Sequence, residues 1–310
     1  MDLSIIIVSY NTASITMDCI RSIKESDIKL KYEIILVDNN SSDGSVSLIE
    51  KEFPKVRIIA NKQNNWFAKA NNQGAKIAQG NCLLLLNSDT LVEGDNLDKL
   101  CRFLVTSKEN IACAGPLILN HDRSIQSRGY ALPSVMERIT MCFKLHKLLP
   151  KSLGKILLPI GTPGLIDESH QVGWISGSCM MIRRDVYSKV GGLNEDMEFY
   201  GEEPEFGWRL LKQGYETWFY SSARIIHLGG ASTKKQKSRA EEERALWRYK
   251  QLQYYTVGIK KAIWMSRVVV IAAYVKKIFA NNKKIYKDGI EWEKRVIDYL
   301  KQHRYEKNLD

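Results

Sequence analysis

Several short stretches of this 310-residue sequence carry side chains that could do chemistry. The first is "LLLLNSD", where the apolar run Leu83–Leu86 stops at Asn87, Ser88 and Asp89. A carboxylate at the end of an apolar strand can ligate a hard divalent cation such as Mg²⁺ or Mn²⁺, and such an ion neutralises a diphosphate. The second is "GEEPEF", with Glu202, Glu203 and Glu205 inside four positions. Crowded carboxylates repel, and the crowding raises a carboxylate pKa toward a value useful to a general base that takes a proton from a hydroxyl. A helix N-terminus would offset part of the repulsion, so an acidic first turn is the competing use of these residues. The third is His227, which ends the apolar stretch "ARIIH" beside Gly229-Gly230. A histidine there is either structural or a metal ligand. Tyr10 and Asp38 end two further apolar runs. The phenol ring can pack on a nucleobase and the carboxylate can accept from a base N–H. Each residue alone could equally be a turn or cap residue. Three polar groups ending successive strands make a shared site the better reading.

The elements that must position these residues are legible. "SIIIVSY", "YEIILVD", "KVRIIAN" and "CLLLLNSD" are continuous apolar runs, the pattern of strands buried on both faces. Between them, "ITMDCIRSIKES", "SVSLIEKEF" and "FAKANNQGAKIAQG" have helical spacing. Ser42 or Asp43 is placed to cap the second helix and Gly80 to end the third. The alternation predicts an α/β fold with a mostly parallel central sheet flanked by helices. In such sheets ligands bind at the carboxyl ends of the strands, so Tyr10-Asn11, Asp38-Asn39-Asn40 and Asn87-Ser88-Asp89 should face one crevice. None of these turns contains a glycine-rich dinucleotide loop or a P-loop. Farther along, 172–195 reads as strand, turn, strand and helix. Residues 202–230 read as a helix to Gly214 and then a strand to His227.

The sequence is 44% hydrophobic, enough for a substantial core. Six scattered cysteines without a CxxC pair argue against a zinc cluster or disulfide scaffold and fit a reducing compartment. The opening "MDLSIIIVSYN" lacks the basic region of a signal peptide, and "VVVIAAYV" at 268–275 is too short to span a bilayer. The formal charge of +11 is uneven. Residues 1–230 hold 26 basic and 26 acidic side chains, whereas 231–310 hold 20 and 9. A basic tail suits an anionic partner such as a phospholipid surface, or is simply a solvated helix. Within it Trp264, Val268, Ile271, Val275 and Ile278 form one helical stripe flanked by Lys260, Lys261, Arg267, Lys276 and Lys277. A second basic amphipathic stretch, 141–158, spaces Lys144, Lys147, Lys151 and Lys155 and is broken at Pro150.

The stretches "SIIIVSYN", "ILVDNNSSDGS", "NNWFAKANNQGA", "LLLLNSDT", "WISGSCMMIRRDVYSKVGGLNE", "FYGEEPEFGWRLLKQGY" and "ARIIHLGGAST" run in order over about residues 3–233. Together they resemble the family 2 glycosyltransferases of GT-A fold, and within them the rhamnosyltransferase-like bacterial enzymes of surface polysaccharide assembly. The resemblance implies a catalytic domain over 1–233 and a basic helical C-terminal region over 234–310. It implies an inverting enzyme that uses a nucleotide-diphospho-sugar, dTDP-rhamnose first and a UDP-sugar second. The basic tail with its apolar stripe and the lysine-rich 141–158 point to a saccharide or lipid-linked saccharide acceptor at the cytoplasmic face of the membrane. Tyr10 and Asp38 would bind the base; Asn64, Phe67, Asn72, Asn87 and Ser88 would line the nucleotide-sugar pocket. Asp89 would hold the metal with His227. Glu203 would be the base, with Glu202 and Glu205 beside it; Trp174, Ser176 and Gly177 would shape the acceptor side. The sequence departs from the family pattern in three places: Asn87 replaces the first Asp of the DxD motif, Glu203 stands where Asp is common, and Trp66 stands where Gly is usual. The basic stripe would lie on anionic lipid or against a second subunit. Two other classes compete. A nucleotidyltransferase would need a glycine- and basic-rich loop after the first strand, which "SYNTAS" is not. A non-catalytic carbohydrate- or nucleic-acid-binding protein would account for the basic tail but would not need Asp89, Glu203 and His227 together.

Overall fold

The computed structural model describes residues 1–162, 167–197, 201–229, 257–280 and 283–302. It begins with the expected alternation: β1 (Leu3–Ser9), α1 (Ala13–Glu25), β2 (Tyr32–Asp38), α2 (Ser45–Glu52), β3 (Arg57–Ala60), α3 (Trp66–Ile77) and β4 (Cys82–Asn87). A two-residue strand β5 (Thr90–Leu91) leads to α4 (Asn96–Thr106), then β6 (Ile111–Leu119) and β7 (Ile125–Ser127). Three short helices follow, α5 (Val135–Phe143), α6 (Leu145–Leu148) and α7 (Lys151–Leu157). Next come β8 (His170–Val172), β9 (Cys179–Arg183), α8 (Arg184–Lys189), α9 (Glu202–Lys212) and β10 (Glu216–His227). Two long helices close the described chain, α10 (Ile259–Phe279) and α11 (Lys283–Gln302).

One sheet runs in the order β3-β2-β1-β4-β9-β6-β10-β5, with β7 paired to β6 and β8 to β10. β1, β2, β3 and β4 are mutually parallel. β9 lies antiparallel between β4 and β6, and β10 is parallel to β6, so β6 and β10 point the same way as the first four strands. The continuous apolar runs reflect a sheet covered on both faces. Ile5, Ile7, Leu36, Leu84 and Leu86 pack toward α1, α2 and α4 with Cys19, Ile20, Ile49 and Leu100. Their neighbours Ile6, Ile35, Val37, Leu83 and Leu85 pack toward α3, α8 and α9 with Ala68, Tyr187, Phe206 and Leu210. A strand with period-two geometry must then be apolar at every position.

Register aligns the polar strand ends. Ser9 sits opposite Asp38, and Val8 opposite Asn87. At the other edge, β5 turns back on the end of β10, placing His227 opposite Thr90, the residue after Asp89. Leu228 N–H also donates to the Asp89 carbonyl at 2.8 Å.

Two local expectations about helix ends are corrected. Gly80 does not end α3, which stops at Ile77. Gly80 instead allows a close approach, because a Cβ there would lie 2.4 Å from the Ser4 backbone nitrogen. Gly44, in the left-handed region, is the residue before α2; Asp43 Oδ1 accepts from Ser45 N–H at 3.1 Å. The stripe on α10 faces outward, since only Val268 of its five members is buried, while Trp264, Ile271, Val275 and Ile278 are exposed. The small residues Ala262, Ser266 and Ala272, with Met265, form the packed face, because close helix approach needs short side chains at the contact. α10 packs on α11 around Ala262, Val296 and Leu300, and also on α5. The stretch 141–158 breaks at Pro150 and also at Lys144, which adopts a left-handed backbone (φ 55°). No helix among the described residues is long and apolar enough to cross a membrane.

Candidate active site

The crevice begins at the ends of β1, β2 and β4. Asp38 is 1% exposed. Its Oδ2 accepts from Ser41 N–H at 2.8 Å, and its Oδ1 has no hydrogen-bond partner among the described residues. A buried carboxylate oxygen left without a donor is costly unless a ligand supplies one. The flanking turns are tied together: Asn11 N–H donates to Ser41 Oγ at 2.8 Å, and Asn11 Oδ1 accepts from Ser42 N–H at 2.8 Å. Asn11 and Asn40 take left-handed backbones there (φ 52° and 68°), which asparagine tolerates better than most residues. Tyr10, beside them, is half-buried.

β2 and α3 are linked through Asn39, a residue that sequence reasoning placed in the crevice without a role. Its amide nitrogen donates to the Trp66 carbonyl at 3.2 Å, and its Oδ1 accepts from Asn61 Nδ2 at 3.1 Å and Asn65 N–H at 3.3 Å. Asn64 is taken up by the turn into α3, its Oδ1 accepting from Trp66 N–H at 2.8 Å. Trp66 itself has φ 57°, a left-handed conformation unusual for so bulky a residue.

Asp89 and His227 come together as expected. Asp89 is 6% exposed, and its Oδ1 lies 3.1 Å from His227 Nε2. Asn87 Nδ2 lies 3.4 Å from the same nitrogen, and Ser88 Oγ is 3.4 Å from Thr12 Oγ1. The pair suits a small divalent cation. Two ligands on adjacent vertices of an octahedron with bonds of about 2.1 Å stand about 3.0 Å apart. Among the described residues no cluster of three or more His, Cys, Asp or Glu side chains could hold a metal, so the protein offers a cation two strong ligands here.

On the other side of the crevice stands α9. Glu203 Oε1 accepts from Gly177 N–H at 3.1 Å. Burial pushes its pKa above the ordinary carboxylate value, and the Gly177 N–H bond partly opposes the rise. A Cβ at Gly177 would lie 2.8 Å from Phe67 Cζ and 3.2 Å from Glu203 Oε1, so Phe67, Gly177 and Glu203 converge on one spot. Trp174 stacks on Tyr130 at 4.2 Å and donates from Nε1 to the Ala131 carbonyl at 3.0 Å. Ser176 shapes the turn before β9, its Oγ accepting from Ser178 Oγ at 3.1 Å.

Two expected site residues have other work. Glu205 is held by Arg209, whose Nε and Nη2 reach its two oxygens at 2.5 and 2.7 Å. Arg209 also donates to the Val190 and Gly192 carbonyls, so the pair anchors α9 to the turn after α8. Both oxygens of Glu205 are thus taken by the Arg209 guanidinium. Asn72 is likewise occupied. Its Nδ2 donates to the Leu193 carbonyl at 2.8 Å and to Glu195 Oε1 at 3.0 Å; its Oδ1 accepts from Tyr187 Oη and from Leu193 N–H at 2.9 Å. All four hydrogen-bonding positions of the amide are filled by protein, so it braces α3 rather than lining the pocket. Glu202 is buried at 5% exposure.

The profile described as "Glycosyl transferase family 2" matches residues 4–191. The chain belongs to glycosyl transferase family 2. Among curated relatives, an N-acetylglucosaminyl-diphospho-decaprenol L-rhamnosyltransferase of Mycobacterium tuberculosis is 27% identical over 213 residues, 64% of this chain and 67% of that protein. The low-salt glycan biosynthesis hexosyltransferase Agl10 of Haloferax volcanii is 29% identical, over 68% of this chain and 62% of its own. The O-antigen biosynthesis protein RfbC of Myxococcus xanthus is 26% identical over 65% of this chain, but only 15% of that protein. Among solved structures, GalNAc-T7 with UDP, GalNAc and Mn²⁺ superposes with a TM-score of 0.59 at 18% identity, covering 99% of this chain and 58% of that one. The mannosyltransferase PcManGT from Pyrobaculum calidifontis, with GDP-Man and Mn²⁺, gives 0.53 at 12%, covering 99% and 88%. The expected GT-A architecture is therefore the observed one, and the family 2 chain is a glycosyltransferase.

Proposed function

We propose that this family 2 glycosyltransferase moves a sugar, with inversion, from a nucleotide-diphospho-sugar to a saccharide carried on a lipid diphosphate. The observation that carries the reading is Glu203: a carboxylate of raised pKa, held by one backbone N–H, where Phe67 and Gly177 meet. Such a group is suited to take a proton from an acceptor hydroxyl as that oxygen attacks the anomeric carbon. Tyr10 and the open Oδ1 of Asp38 receive the base, Asn87 and Ser88 border the diphosphate, and Trp174 and Ser176 border the acceptor. Asp89 and His227 hold Mg²⁺ or Mn²⁺, which when bound stabilises negative charge on the departing diphosphate. With two strong protein ligands, the metal should bind more tightly once the nucleotide adds its oxygens. L-rhamnose, delivered as dTDP-rhamnose, is the first donor to try, because the mycobacterial relative is named for L-rhamnose transfer to a decaprenol-diphosphate-linked sugar.

The same name favours an acceptor at a membrane, and the surface agrees. Among the described residues 21 large apolar side chains are exposed, and 15 of them lie in 136–160 or 264–285. They include Leu148, Ile156, Ile278 and Phe279, and lysines 144, 147, 151, 155, 260 and 276 lie exposed among them. Apolar side chains interleaved with lysines suit an anionic lipid surface, here assigned to the cytoplasmic face of the inner membrane. A dimer contact is the competing use of α10. Incubation with dTDP-rhamnose, UDP-sugars and a short-chain prenyl-diphosphate-GlcNAc acceptor tests the reading. The expected product carries the anomeric configuration opposite to the donor's, read by NMR. Retained configuration, or no transfer from any donor of the panel, would overturn it.

A further inference from the structure

We propose that Gln126 is a positioning residue that fixes the tautomer of His227, so that Nε2 presents its lone pair toward Asp89. The inference rests on the metal reading above. Gln126 sits on β7, and His227 Nδ1 lies 2.7 Å from its Oε1. Which end of the amide faces the imidazole is decided by groups that can only accept. Gln126 Nε2 donates to the His227 backbone carbonyl at 3.3 Å and to Asn120 Oδ1 at 2.8 Å. Flipping the amide would set its oxygen against both of those oxygens.

The orientation is secured again farther out, in the turn joining β6 to β7. Asn120 Nδ2 donates to Ser124 Oγ at 2.9 Å, and Ser124 Oγ donates to Asp122 Oδ1 at 2.5 Å. The Ser124 hydroxyl and backbone N–H hold the Asp122 pKa below its ordinary value, so this end is a carboxylate that only accepts. Direction therefore propagates from Asp122 through Ser124, Asn120 and Gln126 to a proton on His227 Nδ1. In the neutral ring that leaves Nε2 unprotonated, 3.1 Å from Asp89 Oδ1 and 3.4 Å from Asn87 Nδ2. Without Gln126 the Asp89 carboxylate would draw the single ring proton to Nε2, where it would block a cation. Hydrogen-bonded partners of this kind commonly orient metal-ligating histidines, and their loss weakens metal affinity about 10–100-fold.

Long-range ¹H–¹⁵N spectra of the imidazoles report the tautomer directly in the metal-free full-length protein. They would be recorded over a pH series, and the tautomer read where the ring nitrogen shifts no longer move with pH. The His227 signals are assigned by their loss in His227→Gln. Wild type and Gln126→Glu should show Nδ1–H, and Gln126→Leu should show Nε2–H. A wild-type Nε2–H ring, or a tautomer that does not change in Gln126→Leu, would overturn the proposal. Mn²⁺ binding followed by electron paramagnetic resonance, with UDP and with dTDP, gives a second readout. Gln126→Leu should weaken it about tenfold or more, and Gln126→Glu should retain it. Equal affinity of wild type and Gln126→Leu overturns the positioning role. Failure of wild type to bind Mn²⁺ with either nucleotide overturns the metal reading instead, and leaves the tautomer result to be judged from the spectra.

Discussion

Glu203→Gln couples catalysis to stability in a way that few other readings of α9 would predict. The replacement keeps the size of the side chain and an oxygen able to accept from Gly177 N–H, now 3.1 Å from Glu203 Oε1. It removes the negative charge and with it the ability to take a proton. General-base catalysis contributes about 10²–10⁴-fold to rate, or about 3–5 kcal/mol of barrier. Transfer should therefore fall by about that factor while nucleotide affinity stays near wild type. Stability should move the other way. Burial raises the folded-state pKa of Glu203 above its unfolded value, so the ionised form is disfavoured by folding. The stability that the neutral carboxyl allows is fully present below the unfolded pKa of 4.5 and is lost as pH rises through the folded pKa. Glu203→Gln escapes that loss. It should melt higher than wild type at pH 7.5, with the gap closing as pH approaches 4.5. Nucleoside diphosphate release measures the transfer, and scanning fluorimetry from pH 4.5 to pH 8 measures the gap. Activity within about tenfold of wild type, only about 1.4 kcal/mol of barrier, would refute the base assignment. A melting difference that is constant with pH would refute the claim that the charge is the strained element.

The remaining predictions concern binding, the α9 anchor and the membrane surface. Asp38→Asn puts an amide N–H where the open Oδ1 awaits a base N–H, and should weaken UDP or dTDP binding about 10–100-fold by calorimetry, the worth of one charged hydrogen bond. Arg209→Leu leaves Glu205 buried without its partner at a cost of about 3–5 kcal/mol. At about 2–4 °C per kcal/mol its melting point should drop about 6–20 °C. The double variant Glu205→Gln/Arg209→Met should recover more than half of that drop, and no recovery would point to the Val190 and Gly192 contacts instead. Ile278→Glu/Phe279→Glu removes two side chains that are 71% and 83% exposed. If they enter lipid, at about 1.5–3 kcal/mol each, co-sedimentation with phosphatidylglycerol vesicles should weaken at least about tenfold. Unchanged sedimentation alongside a shift from dimer to monomer would assign the stripe to a subunit contact.

Much of the fold was legible because both faces of the sheet are covered. Ile5–Ile7 and Leu83–Leu86 are apolar at every position, and only a strand buried on two sides requires that. The polar turns at Asp38 and Asn87 were equally plain, because parallel strands must end at one edge. What lay outside the sequence were the partners brought from far along the chain. Nothing local joins Asp89 to His227; the antiparallel pairing of β5 with β10 does. Nor does any local signal mark Gln126, which reaches the site only through a short hairpin strand. Glu205 was placed beside the base Glu203, but the structure pairs it with Arg209, one turn on, and Asn72 was placed in the pocket, but the turn at Leu193 fills its amide. The stripe on α10 was legible from its periodicity, but the inward face was set by small residues that let α5 and α11 come close. The sequence alone determined the strands, the helices and the chemical types at the strand ends, since burial and period are local properties. Tertiary structure decided which imidazole nitrogen faces Asp89, which groups fill the Asn72 amide and which face of α10 packs inward, because each depends on a partner distant in the chain.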